Sequence, residues 1–336
     1  MRNMNRDKHI DDTYGDQGGL CYTILLFTVR FVSDAQLPKY KGFALRGGIG
    51  NMLLDEFCMR EQLRKKEACF RCEFLKECIV QRIMYAPMEI SAVSMSEGSS
   101  EGYVVECEDR RELVREGDTM VFRLLLFGKT MYYLSPLLSA VYRLGIAGLG
   151  GDQAQFETIS IQNERGDYIL NGQDIFKDRY RICRLERTID RRLQKMIPKD
   201  TLELKFLSPI ALKKKGTILE NPTIEELLKA AERRIYIMNC FEGIPMEEPK
   251  GIEERLGGLK TLACEYHPTV IPRYSSRKET KIYLKGSYGT LVVSMKDCED
   301  GDREWILRTL LAGEVLHVGS NTSFGFGRYR VNAGER

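Results

Sequence analysis

Strand, helix, strand, strand, helix and strand follow one another in the first half of this chain, and the second half echoes the order one strand short. That order predicts an α+β protein of two tandem ferredoxin-like (RRM-like, βαββαβ) modules. Three observations carry the prediction. The first half alternates period-two and helical segments in that order, the second half echoes it more weakly, and each half ends helix, glycine-rich loop, strand. A single α+β domain with a coincidental glycine run is the plainer alternative. With 336 residues, 43% of them hydrophobic, the chain can bury a substantial core, and its length favours two domains or one large one.

Taken in order, residues 1–19 are polar and glycine-rich and read as a loose terminus. Cys21–Val32 reads as a strand. It is the most apolar run, but Arg30 interrupts it and it is too short to span a bilayer. A proline-containing loop leads to an apolar-periodic helix over Phe43–Lys65. A cysteine-bearing segment follows, then a Ser/Gly-rich loop at Ser94–Gly102. Tyr103–Cys107 and Thr119–Phe127 alternate as strands. Tyr132–Leu144 carries helical spacing and stops at Gly145. The glycine run Gly145–Gly151 then leads to the strand Phe156–Ile161. The modules meet near residues 190–200, which gives expected domains 1–195 and 196–336. In the second, Thr201–Leu207 and Leu284–Met295 read as strands and Ile224–Cys240 and Arg303–Leu311 as helices. Arg328–Val331 is the terminal strand.

The formal charge of +3 and pI of about 8.2 are only mildly basic. A dedicated nucleic-acid-binding domain often exceeds pI ~9, so any basic footprint must be local. The N-terminus lacks a signal-peptide pattern, and the expectation is a cytoplasmic protein with no membrane partner. Ten cysteines in a reducing compartment are not a disulfide framework. Four of them, Cys58, Cys69, Cys72 and Cys78, form an insertion with Cys-x10-Cys-x2-Cys-x5-Cys spacing that can surround one tetrahedral zinc. Arg64, Lys65, Lys66, Arg71 and Lys76 would offset the thiolate charge. An iron–sulfur cluster needs the same ligands, and buried thiols with no metal are the simpler alternative.

His317 to Tyr329, HVGSNTSFGFGRY, is the most informative run. Glycine lets a backbone approach a ligand closely, and successive N–H groups in such loops make concavities that hold phosphates. The run lacks the Gly-Lys-Ser/Thr ending of a triphosphate loop, and a strand follows it rather than a helix. It suits the grip of a polynucleotide backbone. Gly47-Gly48-Ile49-Gly50 lacks the full dinucleotide fingerprint and is set aside.

Three blocks together carry a family resemblance: Leu37–Gly42 leading to Leu45-Arg46-Gly47, Arg273–Arg277, and the glycine loop Gly319–Gly327. In these the chain resembles the CRISPR-associated endoribonucleases of the RAMP superfamily that process precursor CRISPR RNA. The resemblance implies metal-independent cleavage of repeat RNA by 2′-hydroxyl attack, leaving a 2′,3′-cyclic phosphate and a 5′-hydroxyl, with no cofactor for catalysis. It also implies precursor CRISPR RNA as partner, and other CRISPR effector subunits beside it. The rival from another class is a noncatalytic RAMP subunit that holds guide RNA in an effector complex. An unrelated zinc-stabilised scaffold would leave the glycine loop unexplained.

Histidine suits general acid–base work near neutral pH, and the chain has three: His9, His267 and His317. His317, just before the loop, is the first candidate for the scissile phosphate; orienting the loop through a backbone hydrogen bond is its alternative role. Many members of the family place the catalytic histidine in or just after the first helix, where this chain has none. Lys39, Tyr40, Lys41 and Arg46 are the local substitutes: Tyr40, Lys41 and Arg46 for catalysis, Lys39 for RNA contact. Arg273, Tyr274, Ser275, Ser276 and Arg277 combine guanidiniums for phosphate, a stacking ring and hydroxyls. Lys213, Lys214 and Lys215 could track phosphates or form an exposed hairpin tip. From the loop, Gly319, Ser320, Asn321, Gly325, Gly327 and Arg328 complete the expected RNA-contacting set.

Overall fold

The computed structural model describes residues 19–59, 72–74, 77–84, 102–275 and 280–333, with Tyr274 and Ser275 described by backbone alone. The chain is a mixed α and β protein whose sheets are antiparallel.

The first half runs β1 (Cys21–Phe31), β2 (Ala35–Gln36), α1 (Lys41–Phe57), α2 (Ile79–Met84), β3 (Tyr103–Glu106), β4 (Leu113–Val114) and β5 (Thr119–Phe127). It continues through α3 (Leu134–Ala147), β6 (Phe156–Gln162), β7 (Tyr168–Asn171), β8 (Asp174–Ile175), β9 (Cys183–Arg184) and α4 (Leu185–Met196). Its large sheet is ordered β3-β5-β1-β6-β7-β8, with β9 also paired to β1. Strand alternation builds its core: Leu25, Phe27, Val29 and Phe31 of β1 all bury one face. Leu45, Ile49 and Leu53 of α1, at helical spacing, cover that face.

The second half runs β10 (Thr201–Ile210), the hairpin β11 (Lys213–Lys214) and β12 (Thr217–Ile218), α5 (Ile224–Glu242), β13 (Lys260–Ser275), β14 (Thr280–Ser294), α6 (Asp300–Leu316) and β15 (Tyr329–Ala333). Its sheet is ordered β13-β14-β10-β15. A capping box starts α5: the Thr223 hydroxyl accepts from the Glu226 N–H at 3.2 Å, and the Glu226 carboxylate accepts from the Thr223 N–H at 3.0 Å. The halves share apolar packing. Leu20, Tyr22, Val104, Leu125 and Phe127 of the first half belong to the same buried cluster as Leu202, Leu204 and Leu310 of the second half.

The expected strands and helices of both halves are present, with ends shifted by a few residues. Several short strands and α2 were not anticipated, and neither were two longer elements, β13 and α4. β13 was hidden because it is an edge strand bearing Pro268 and Pro272, which an edge tolerates since its outer N–H groups bond to no neighbour. Helix α4 runs up to the expected meeting point near residues 190–200, and its Leu185, Ile189, Leu193 and Met196 bury one stripe. The expected helix over Phe43–Lys65 ends at Phe57, and residues 60–65 lie outside the described residues. Among the described residues, no helix is long and apolar enough to cross a membrane.

Candidate nucleic-acid interface

The glycine loop lies between the halves, pinned on both sides. It leaves α6 at His317, turns through a 3-10 segment at Thr322–Phe324, and closes on itself with Val318 N–H donating to the Gly327 carbonyl at 3.0 Å. The Gly327 and Ser320 N–H groups donate to Pro209 and Ala211 carbonyls, each at 2.9 Å. On the other side a Cβ at Gly325, whose φ is +85°, would stand 2.7 Å from the Val105 oxygen. One at Gly42, in the first turn of α1, would stand 2.7 Å from the Phe324 oxygen. These glycines permit backbone-to-backbone approach across the seam. Their role is packing, so the loop is a wedged element rather than an open cup of donors.

His317 is 0% exposed. Its Nε2 lies 2.8 Å from Glu106 Oε1, at the end of β3, and its Nδ1 lies 3.0 Å from the Phe326 carbonyl. Burial alone would raise the Glu106 carboxyl. The His317 bond and charge, then Arg328 and Arg123, outweigh burial and hold the group down at about 2. Both His317 nitrogens are engaged and the ring reaches no cleft, which corrects the expectation that it contacts a scissile phosphate. It fixes the loop to β3 instead. Arg328 is likewise spent: its Nε stands 3.4 Å from Glu106, and its guanidinium also pairs with Glu108. Lys41 is 0% exposed, with its Nζ donating to the Arg111 carbonyl at 2.5 Å and paired to Asp109 at 3.2 Å. It holds the strand ends beneath α1 and is not a free base.

Arg46 and Arg273 are arranged differently. Both stack on Phe324 of the glycine loop, with guanidinium carbons 4.6 Å and 4.4 Å from its centroid. Phe43 of α1 flanks the same ring at 5.1 Å. The Arg46 Nη2 donates to the Met84 carbonyl at 3.3 Å, and its Nε has no hydrogen-bond partner among the described residues. Burial first, and the Arg46 charge second, push the Arg273 guanidinium below its ordinary value. Among the described residues neither cation has a carboxylate partner. Two underbonded guanidiniums around one ring attract an anion and present the planar donor forks that fit phosphate.

A pocket opens beside them, lined in part by Tyr40, Phe43, Cys107, Arg110, Ser208 and Phe324. The Arg110 guanidinium stacks on the Tyr40 ring at 4.6 Å. Burial, then the Tyr40 hydroxyl beside it, raise the Tyr288 hydroxyl to about 12. The Tyr288 hydroxyl in this corner therefore stays protonated and can donate. A small cluster of Ala211, Ile271 and Phe326, with Tyr40, Phe43, Ile218 and Leu284 packed on it, holds the corner together.

The three sequence blocks thus converge at the seam. Tyr40, Arg46, Arg273 and the loop meet there, Lys39 is exposed beside Tyr40, and the loop's Gly319 and Ser320 abut Ala211. Asn321 adopts φ +64° in the loop. Lys213 and Lys214 sit on the β11–β12 hairpin; both are exposed, and Lys214 pairs with Glu226 at 2.8 Å. His267 is exposed and pairs with Glu265 at 3.2 Å. Arg277, Ser276, Cys69 and His9 lie outside the described residues. Cys58, Cys72 and Cys78 are half-buried, and no trio of His, Cys, Asp or Glu among the described residues is grouped to hold a metal. Reading the sequence missed Glu106, Arg110 and Tyr288. Glu106 meets His317 across 211 positions of chain, a separation that leaves no local signal.

Comparison with known proteins agrees with this architecture. The AF_1859_N family model, described as an N-terminal domain, matches residues 20–187, and the model of the CRISPR-associated endoribonuclease Cas6 matches residues 204–329. An uncharacterised protein of Archaeoglobus fulgidus is 22% identical over 298 residues, 88% of this chain and 93% of that protein. Among solved structures, a Cas6 product complex aligns with TM-score 0.52 at 18% identity, covering 93% of this chain and 99% of its own. Thermus thermophilus Cas6 aligns with TM-score 0.52 at 11% identity, covering 94% and 100%. A chain of a partial Cas6-RT-Cas1–Cas2 complex aligns with TM-score 0.56 at 13% identity over 95% of this chain, which spans 47% of that longer one. Residues 204–329 thus match the family of the CRISPR-associated endoribonuclease Cas6, and residues 20–187 the AF_1859_N family of N-terminal domains.

Proposed function

We propose that this protein binds CRISPR repeat RNA and cuts precursor CRISPR RNA without a metal ion. The observation that carries the reading is the pair of guanidiniums, Arg46 and Arg273, that converge on Phe324 of the glycine loop with no carboxylate partner among the described residues. The 2′-hydroxyl gives its proton to water as its oxygen attacks the adjacent phosphorus, the P–O5′ bond breaks, and the departing 5′-oxygen takes a proton from water, leaving a 2′,3′-cyclic phosphate and a 5′-hydroxyl. Arg46 and Arg273 neutralise the charge that builds on the phosphorane, and Tyr40 orients the ribose at the start of α1. With His317 and Lys41 bound internally, the chemistry rests on charge stabilisation and positioning rather than on a strong base. The strand orders β3-β5-β1-β6 and β13-β14-β10-β15 support reading both halves as ferredoxin-like modules, meeting between residues 195 and 196. Precursor CRISPR RNA is the proposed partner, with other CRISPR proteins beside it, and the four-cysteine segment is proposed to hold a structural zinc.

A second reading, a noncatalytic guide-RNA-binding subunit, is favoured by the internal engagement of His317 and Lys41. End-labelled repeat RNA incubated with the protein and excess EDTA separates the two. The enzyme gives one defined cut, blocked by a 2′-deoxy substitution at the cleavage position; the subunit binds tightly and cuts nothing. Arg46→Ala and Arg273→Ala should each slow single-turnover cleavage by about 10²-fold, the scale of losing one oxyanion donor. Wild-type rates in both variants would remove the pair from the mechanism.

A further inference from the structure

The seam does not account for the densest charge in the chain. Residues 177–199 contain nine Lys or Arg and three Asp or Glu, a net +6, while the whole protein carries +3. Helix α4 lies within this segment. Its buried stripe, Leu185, Ile189, Leu193 and Met196, faces the core. Some of its charges are used internally: Arg192 pairs with Glu314 and donates to the Val331 carbonyl at 2.6 Å, and Asp190 pairs with Arg308 at 2.8 Å. Arg187, Arg191 and Lys195 are different. They recur every four residues on the exposed side, and among the described residues none has a hydrogen bond or ion pair. Four residues of helix advance about 6 Å, which is on the order of the distance between successive phosphates of an RNA strand.

We infer that Arg187, Arg191 and Lys195 form a second RNA-binding track, separate from the Arg46–Arg273 anion site. The inference rests on RNA being the ligand, as proposed above. Arg192 on the same helix bonds Glu314, one turn before His317, so α4 packs on the helix that leads into the glycine loop. Phosphate contact by three solvent-facing cations adds affinity and salt dependence without adding sequence preference.

The test is fluorescence-anisotropy titration of an oligouridylate of about 20 residues over a KCl series. Three lost phosphate contacts, at ~0.7 each on a single strand, should lower the slope of log affinity against log salt by about 2 in the Arg187→Ala/Arg191→Ala/Lys195→Ala variant. Affinity near 0.15 M salt should fall by roughly tenfold or more. A charge-retaining Arg187→Lys/Arg191→Lys/Lys195→Arg variant should keep the slope, which separates charge from any disturbance of α4. Cleavage of repeat RNA at saturating protein should match wild type in both variants. Unchanged slope and affinity in the alanine variant overturn the track and leave the stripe to an acidic protein surface. A slope that differs between wild type and the alanine variant while wild type cuts no repeat RNA would instead overturn the endonuclease reading and leave the track standing.

Discussion

A buried glutamate and a buried histidine, 2.8 Å apart, join β3 to the end of α6. Removing one partner of such a pair strands the other in a low-dielectric site, which typically costs about 3–5 kcal/mol. His317→Ala is therefore expected to lower the urea midpoint far more than it changes single-turnover cleavage by the protein that remains folded. A catalytic histidine would give the reverse pattern. The pH dependence has a definite sign. Glu106 titrates at about 2 in the folded chain against its ordinary value of 4.5, so the unfolded chain binds more protons between those values. The stabilisation is full above pH 4.5 and is lost as pH falls toward 2, on the order of 3 kcal/mol in all. Wild type and Glu106→Gln should converge in stability through that window; a constant gap would refute the ion pair.

Helix α5 ends on Glu242, whose Oε2 accepts from the Lys129 N–H at 2.7 Å, at the start of the 3-10 turn Gly128–Tyr133 in the opposite half. Its Oε1 has no partner among the described residues. Burial raises this carboxyl to about 6 despite the Lys129 bond, and despite the Lys129 and Arg82 charges. Here the folded chain holds the extra proton, so stability falls as pH rises from 4.5 through 6 and the full penalty applies above 6. Glu242→Gln should be more stable than wild type at pH ~7.5, by on the order of 2 kcal/mol, with no difference near pH ~4. Thermal melts at the two pH values check this. At this scale, legibility followed the packing. β5 could be read because Met120, Phe122 and Leu124 alternate with more exposed residues. β13 could not, since its exposed outer edge selects no apolar period. The apolar stripe of α4 stands at helical spacing, but the module boundary expected beside it left the segment without an assigned element.

Across the whole molecule, the sequence blocks that carried the family resemblance are the ones that meet at the seam, and Arg46, Arg273 and the loop were legible for that reason. What could not be read was which cations are already satisfied. Lys41, Arg328 and His317 look like ligands in sequence and are bound internally, because their partners Asp109, Glu108 and Glu106 come from a distant stretch of chain. The cysteine proposal is tested at the same scale. Protein purified without chelator should contain about one zinc per chain by mass spectrometry, and its removal should lower the melting temperature while repeat RNA is still cut. Absence of stoichiometric zinc or iron would end the proposal. Glu106 and the wedged glycines finally constrain how such proteins can be recombined. A chimera joining this N-terminal half to a relative's C-terminal half would inherit a carboxylate with no imidazole to meet it, unless that relative carries the matching residue, and its graft would fail at the join before any RNA was offered.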